Sequence, residues 1–393
     1  MSTHSPRQTV FLLAVAQALY SCCIITVFST AGLVGLVIAP DQSLATLPIT
    51  TFVIGSMATT IPASFLMRQW GRKPVFMMGA VSSILGAILA TWSIFHAAFW
   101  LFCIATAMQG VFQATSNYYR FAAVEASDPE NKSIAISWVL TGGVVAAIAG
   151  TLIASQTSNY FPLFTFAGSY AAAALLAVAN LAVIAFLQIP KPTADDVAGP
   201  QRSWAELLQQ PRLVVAMASA IIAYALMNLM MTAAPVAMKM CGFDVTASSW
   251  VIQWHVLGMF VPSFFTGVLI KRYGVNLITS IGMVLLITAG ITGLLGITFG
   301  HFAVGLILLG LGWNFGFIGG TTMLTECYRP SERTKVQAAN DFGISAMMAV
   351  ASASSGQMLN YWGWHSVPIA IFPFAALALG LIAWQVMRKQ QTV

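Results

Sequence analysis

Charge is what this chain of 393 residues has least of. Asp, Glu, Lys and Arg together make up 7% of it, against about 25% in a soluble domain. A hydrated exterior over most of the surface is therefore excluded. Acids are scarcer than bases, 11 against 17, which leaves a formal net charge of +6. Cysteine is also scarce. Cys22, Cys23, Cys103, Cys241 and Cys327 mostly fall within or at the ends of apolar stretches, so no disulfide framework is expected. No nucleotide-binding glycine loop, catalytic triad or zinc-hydrolase spacing occurs, so neither an enzyme nor a prosthetic group is expected.

What the chain has instead is long apolar runs. Its mean hydropathy is +0.82, and stretches of about 20 apolar residues, enough to cross a bilayer, recur from end to end. Twelve spans are read at 10–37, 44–67, 74–95, 97–120, 132–156, 163–188, 211–238, 245–270, 275–298, 301–325, 335–358 and 365–387. The first run lacks a small-residue cleavage site and is too long for a signal peptide. The basic residues fall at the N-terminal start or in alternate loops: Arg7, Arg68, Arg72, Lys73, Arg120, Lys132, Lys191, Arg202, Arg212, Lys271, Arg272, Arg329, Arg333, Lys335, Arg388 and Lys389. Only Lys239 lies on the opposite side. That asymmetry places both termini in the cytoplasm with lipid as the surrounding partner, and it explains the net charge without nucleic acid.

The chain repeats itself. Arg68-Gln69-Trp70-Gly71-Arg72-Lys73 follows the second span, and Lys271-Arg272-Tyr273-Gly274 follows the eighth. Asp128-Pro129-Glu130-Asn131-Lys132 follows the fourth, and Arg329-Pro330-Ser331-Glu332-Arg333 the tenth. Between the halves, Pro190, Pro192, Asp195, Asp196, Gly199 and Pro200 mark a polar linker. Ser203–Gln210, at its end, reads as a short amphipathic piece. The expected organisation is an N-terminal six-helix bundle (1–189), a cytoplasmic linker (190–210) and a C-terminal six-helix bundle (211–393), the pattern of a two-bundle secondary transporter.

These loops resemble those of the major facilitator superfamily, and the resemblance covers essentially the whole chain. The family's loop after the second helix runs Gly-x-Leu-Ala-Asp-Arg-x-Gly-Arg-Lys. Here Ser64, Leu66, Gly71, Arg72 and Lys73 hold matching places and Arg68 replaces the acid. In the second half Gly267, Leu269, Arg272 and Gly274 match, with Lys271 at the acid position. The resemblance makes Arg68, Gly71, Arg72, Lys73, Lys271, Arg272 and Gly274 gate-loop residues. Two family patterns are missing. Thr106 stands where a coupling arginine precedes Gln109-Gly110, and the fifth span carries Gly142, Gly143 and Gly150 but no proline. Both absences count against a drug–proton antiporter.

One further pattern bears on cargo. Met227 and Met231 sit at i, i+4 on the seventh span, His255 and Met259 at i, i+4 on the eighth. Each pair shares one helix face. A turn around Lys239–Asp244 would make the two spans antiparallel, with Met231 and His255 at similar depth and Met227 and Met259 deeper. Thioethers and imidazole suit soft Cu(I), and a neutral ligand set leaves no buried charge when empty. Met238, Met240 and Cys241 would form a capture station at the outer mouth. Packing is the plain alternative for all of these, since methionine is a common gap filler in apolar helices. Trp250 and Trp254 flank His255, where a cation–π role competes with packing.

Met-x-x-x-Met followed by His-x-x-x-Met is similar to the pattern of the CcoA-like (CalT) copper transporters, bacterial facilitators that supply copper to cbb-type cytochrome c oxidase. That resemblance implies a copper importer of the bacterial inner membrane, working by alternating access, with Cu(I) as transported ion and a cytoplasmic copper acceptor as partner. The same broader family includes riboflavin transporters. In that alternative the cargo is riboflavin or another small organic solute, Tyr224, Asn228, Gln109, Gln113 and Asn314 are available for its cavity, and the Met–His set is packing. A second alternative is a copper sensor or oxidase assembly partner that transports nothing.

Overall fold

The computed structural model describes residues 6–41, 44, 47–189 and 199–391. Among them every regular element is helical. A lipid interior offers no partner to backbone N–H and C=O groups, so an apolar span must satisfy them within itself. The elements are α1 (Pro6–Ile38), α2 (Leu47–Trp70), α3 (Arg72–Phe95), α4 (Phe99–Ser116), α5 (Tyr119–Glu125), α6 (Lys132–Val145), α7 (Thr151–Thr157) and α8 (Ala167–Phe186). They continue with α9 (Trp204–Leu208), α10 (Pro211–Met240), α11 (Val245–Phe260), α12 (Ser263–Tyr273), α13 (Val275–Leu295), α14 (Phe299–Leu324), α15 (Arg333–Trp362), α16 (Ser366–Ile369) and α17 (Ile371–Gln391).

Ten helical stretches among the described residues are long and apolar enough to cross a membrane. The other two of the twelve spans are α4, continued by α5, and α15. They are the more polar ones: Gln109 and Gln113 interrupt α4, and Arg333, Lys335, Gln337, Asn340 and Asp341 crowd the first turns of α15. One of the breaks within an expected span falls at a proline. The stretch read as 245–270 divides into α11 and α12 at Val261 and Pro262, because proline supplies no N–H to an α-helical ladder.

The helices form two compact units, residues 1–128 with 138–199, and 129–137 with 200–393. This differs from the expected boundaries in two places. Residues 129–137, the start of α6, count with the second unit, and so does the chain from Pro200 onward. Pro190, Lys191, Pro192, Asp195 and Asp196 of the expected linker lie outside the described residues, as does His4.

The internal repeat reappears as matching seams, one inside each unit. In the first, α2 meets α4 so closely that a Cβ on Gly110 would lie 2.1 Å from Phe52 O and 2.7 Å from Ser56 N. In the second, α11 meets α14, and a Cβ on Gly310 would lie 2.6 Å from His255 O and 2.8 Å from Met259 N. Gly310 follows Gly110 by 200 residues, and His255 and Met259 follow Phe52 and Ser56 by 203. Small residues that let backbones touch are a common way to hold helices together in lipid. The loop glycines repeat too: Gly71 has φ 86° and Gly274 φ 90°, a left-handed backbone that side chains disfavour.

Candidate functional site

The turn between α10 and α11 is where the sequence put it. Gly242 takes φ 87°, and Asp244 caps α11, its Oδ1 accepting from Ala247 N at 2.8 Å. The hairpin is not, however, the centre of its surroundings. α10 and α11 each pack far more extensively along α14 than against each other. The expectation of four ligands facing one another across two helices is therefore replaced by a three-helix arrangement. The glycines of α14 explain it: at Gly310 the α11 backbone closes in, and at Gly320 that of α10.

Within that arrangement the four residues separate by role. His255 is fully buried, and its Nδ1 lies 2.7 Å from Leu306 O on α14. A carbonyl oxygen only accepts, so the ring proton sits on Nδ1. Nε2 is left as a bare lone pair with no partner among the described residues. Met259 is buried one turn on, and the backbone of both residues forms the glycine seam. Met227 is buried and Met231 half-buried on α10. Met230, one residue before Met231, is fully buried with its methyl group against Gly293 and Gly305. The repeat gives the α11 backbone at His255 and Met259 a packing role, since the backbone of Phe52 and Ser56 occupies the same seam positions. Among the described residues, no three His, Cys, Asp or Glu side chains gather as a metal site.

The outer trio does not share one environment. Met238 is 1% exposed, whereas Met240 and Cys241 are open to the outside of the fold. Trp250 and Trp254 are about half exposed, unlike the His255 ring they were expected to flank.

The rings of the second unit gather elsewhere. Trp313 and Phe317, one turn apart on α14, are stacked with centroids 5.1 Å apart. Tyr224 of α10 meets both edge-on, at 5.2 and 5.1 Å. Phe260, the last residue of α11, meets Trp313 edge-on at 5.8 Å. Edge-to-face contacts at these distances are the preferred geometry of aromatic pairs. Trp313 is 1% exposed, and its Nε1–H has no acceptor among the described residues. Tyr224 and Phe260 remain half-buried.

The polar residues read as available for an organic cargo divide in the same way. Asn314 is fully used: its Nδ2 donates to Met259 O and Ser263 Oγ, and its Oδ1 accepts from Thr266 Oγ1. Gln109 is locked to Ser83 through both ends of its amide. Both are buried struts. Asn228, one turn beyond Tyr224, is half-buried and donates to Met348 O at 3.0 Å. Gln113 is half-buried, and its Oε1 has no partner among the described residues.

The profile of the Major Facilitator Superfamily matches this sequence over residues 10–251 and again over 215–392. The chain belongs to that superfamily. Among its relatives, the riboflavin transporter RfnT of Brucella anthropi is 42% identical over 375 residues, spanning 95% of this chain and 94% of that protein. The uncharacterized MFS-type transporter YdeG of Bacillus subtilis is 25% identical over 399 residues, 96% and 92% of the two chains. The solved structure of the human organic anion transporter MFSD10 (TETRAN) superposes with a TM-score of 0.78 at 12% identity, covering 97% of this chain and 100% of that one. A bacterial homologue of the iron transporter ferroportin gives 0.71 at 15%, covering 96% and 99%. At such identities the two structures speak for the fold alone. The copper-specific subfamily expected from the Met–His spacing gains no support from these relatives.

The loop between α2 and α3 is anchored by an acid that the loop pattern did not reveal. Arg72, buried at the start of α3, donates through Nε to Glu125 Oε2 at 2.8 Å and pairs through Nη2 with Glu125 Oε1. Its guanidinium also lies over the Tyr118 ring. Lys73 donates to Ala185 O at 2.6 Å, and Arg68 is half-buried. The acid missing at position 68 is thus supplied to the loop from the end of α5. In the second unit the counterpart of Glu125, 201 residues on, is Glu326. It pairs instead with Arg212, at the start of α10. Arg272 lies over its neighbour Tyr273, and Lys271 donates to Asn131 Oδ1 at 2.9 Å.

A second acid, Glu332, fixes the end of the linker. It is fully buried and accepts from Arg202 N and Nε, both at 2.8 Å, from Arg202 Nη2 at 2.5 Å and from Arg329 N at 3.0 Å. These donors, the Arg202 guanidinium foremost, hold its carboxyl down at about 2. Lys335 donates to Arg202 O and lies over the Trp204 ring. Ser203 and Glu206 form a capping box on α9.

Proposed function

We propose that this facilitator carries riboflavin, or a flavin closely related to it, across a bacterial inner membrane by alternating access, with both termini in the cytoplasm. The observation that carries the reading is the 42% identity with RfnT, sustained over 95% of the chain. The aromatic group on α10, α11 and α14 agrees with a cargo built on a flat ring. Uptake is the direction proposed. Copper recedes as cargo, because it rested on the Met–His spacing, whereas the relative of 42% identity is a riboflavin transporter.

The test is uptake of labelled riboflavin by a riboflavin-requiring bacterium at limiting vitamin, with and without this gene, and with cell copper measured in the same cultures. The expected result is growth and label accumulation only with the gene, at unchanged copper. Neither growth nor accumulation at verified membrane expression would overturn the flavin reading. A copper content that follows the gene would reinstate the metal.

A further inference from the structure

We infer that Tyr224, Phe260, Trp313 and Phe317 form the part of the substrate site that holds a planar heteroaromatic ring, and that the Trp313 indole N–H supplies a donor to an acceptor on the ring's edge. This rests on the flavin reading for its choice of ring, and it goes further by assigning the ring to one aromatic group in the second unit.

Three observations support it. The four side chains come from three helices and are separated by up to 93 residues, Tyr224 to Phe317, yet every contact among them has stacked or edge-on aromatic geometry. The stacked Trp313–Phe317 pair is a rigid backing, while Tyr224 and Phe260 keep exposed surface that a ligand can meet. The buried Nε1–H of Trp313 also lacks an acceptor among the described residues. An unpaired buried donor is costly in a structure that has no use for it, and a ring nitrogen or carbonyl is the partner it lacks. The repeat adds a parallel: Gln113 stands 200 residues before Trp313, and it too has an unpaired polar atom, the acceptor Oε1. No charged side chain belongs to the aromatic group, so the moiety it fits is neutral. A plain aromatic core would need neither exposed rims nor an unpaired donor.

The test uses the full-length protein in lipid nanodiscs and three probes: riboflavin, lumichrome (the ring system without the sugar-alcohol chain) and ribitol (the chain's own chemistry without the ring). Binding of the two fluorescent probes is read by their quenching, and ribitol by competition. Tyr224→Ala should raise the Kd of riboflavin and lumichrome together by about tenfold, the order of one aromatic contact. Tyr224→Phe, which keeps the ring, should restore most of it. Trp313→Phe, which keeps the stack and removes the N–H, should weaken both probes as well. Ribitol should not displace lumichrome.

The inference is overturned if monodisperse Tyr224→Ala and Trp313→Phe proteins bind riboflavin and lumichrome as wild type does; flavin transport would then stand with its ring held elsewhere. It is also overturned if ribitol competes while lumichrome does not bind. If wild type binds lumichrome in a Tyr224-dependent way but moves no riboflavin, the site stands and the cargo is a different flat heteroaromatic.

Discussion

Removing the side chain of Arg202 should loosen the second unit at one defined place. Glu332 is fully buried, and three of its four donors come from Arg202, two of them from the side chain. In Arg202→Ala the carboxylate stays buried with only backbone N–H groups to face it. Breaking a buried pair in this way costs about 3–5 kcal/mol. The depressed carboxyl gives a similar figure: a fall from 4.5 to about 2 corresponds to about 3 kcal/mol at neutral pH. For a unit of about this size such a loss lowers the melting temperature by about 6–20 °C.

Cysteines supply the readout. Cys22, Cys23, Cys103 and Cys327 are buried and only Cys241 is exposed, so a thiol-reactive dye in a Cys241→Ser background reports unfolding. Cys327 also reports locally. Its carbonyl accepts from Arg202 Nη2 at 3.0 Å, and burial pushes its thiol up to about 11, which leaves little thiolate to react at neutral pH. Arg202→Ala should melt earlier and label at Cys327 before it melts. Unchanged melting together with a protected Cys327 would refute the reasoning. Because the Glu332 carboxyl is depressed on folding, its stabilisation is present above about pH 4.5 and fades as pH falls towards 2. The gap between wild type and Glu332→Gln should hold from pH 7 to 5 and close below that.

Three further outcomes are expected. Arg72→Ala should reduce riboflavin uptake at matched expression by removing the Arg72–Glu125 pair, and Arg72→Glu combined with Glu125→Arg should recover part of it; no recovery would argue that the pair acts through geometry specific to arginine. Gly310→Val should abolish monodisperse protein in size-exclusion chromatography, and Gly110→Val should do the same, since a side chain at either meets backbone within 2.6 Å and overpacking of about 1–3 kcal/mol per site is the mild case. His255→Phe places the residue of the counterpart position 52 in the seam, so folded protein and riboflavin uptake should both persist; lost uptake with an intact fold would show that the imidazole does more than pack.

Much of the fold was legible because its signals are local. Apolar length gave the spans, and two echoing loops gave the repeat. The break at Pro262 was missed because the apolar run continues straight through it. The acids that hold the loops, Glu125, Glu326 and Glu332, carry no periodicity that names a partner, and their arginines lie 53 to 130 residues away. The aromatic group was only half visible: Tyr224 was read as cavity-lining, but nothing in the spacing of Phe260, Trp313 and Phe317 tells which rings meet. The Met–His spacing was ambiguous for a physical reason. A packing seam and a ligand set on a helix both recur at i, i+4, so residues 255 and 259 fit either until the α11–α14 contact and its repeat in α2–α4 are seen.

The anchoring of residues 200–208 also says where this chain can be divided. A break placed at Pro211, where the last six spans begin, would strip the second half of Arg202 and leave Glu332 buried beside an empty seat. A break before Pro200 keeps that arginine with its acid. Two fragments made there and produced together in one cell keep the Arg202–Glu332 tie intact within one of them, which makes that position the one to choose for a split reporter or an inserted fluorescent domain.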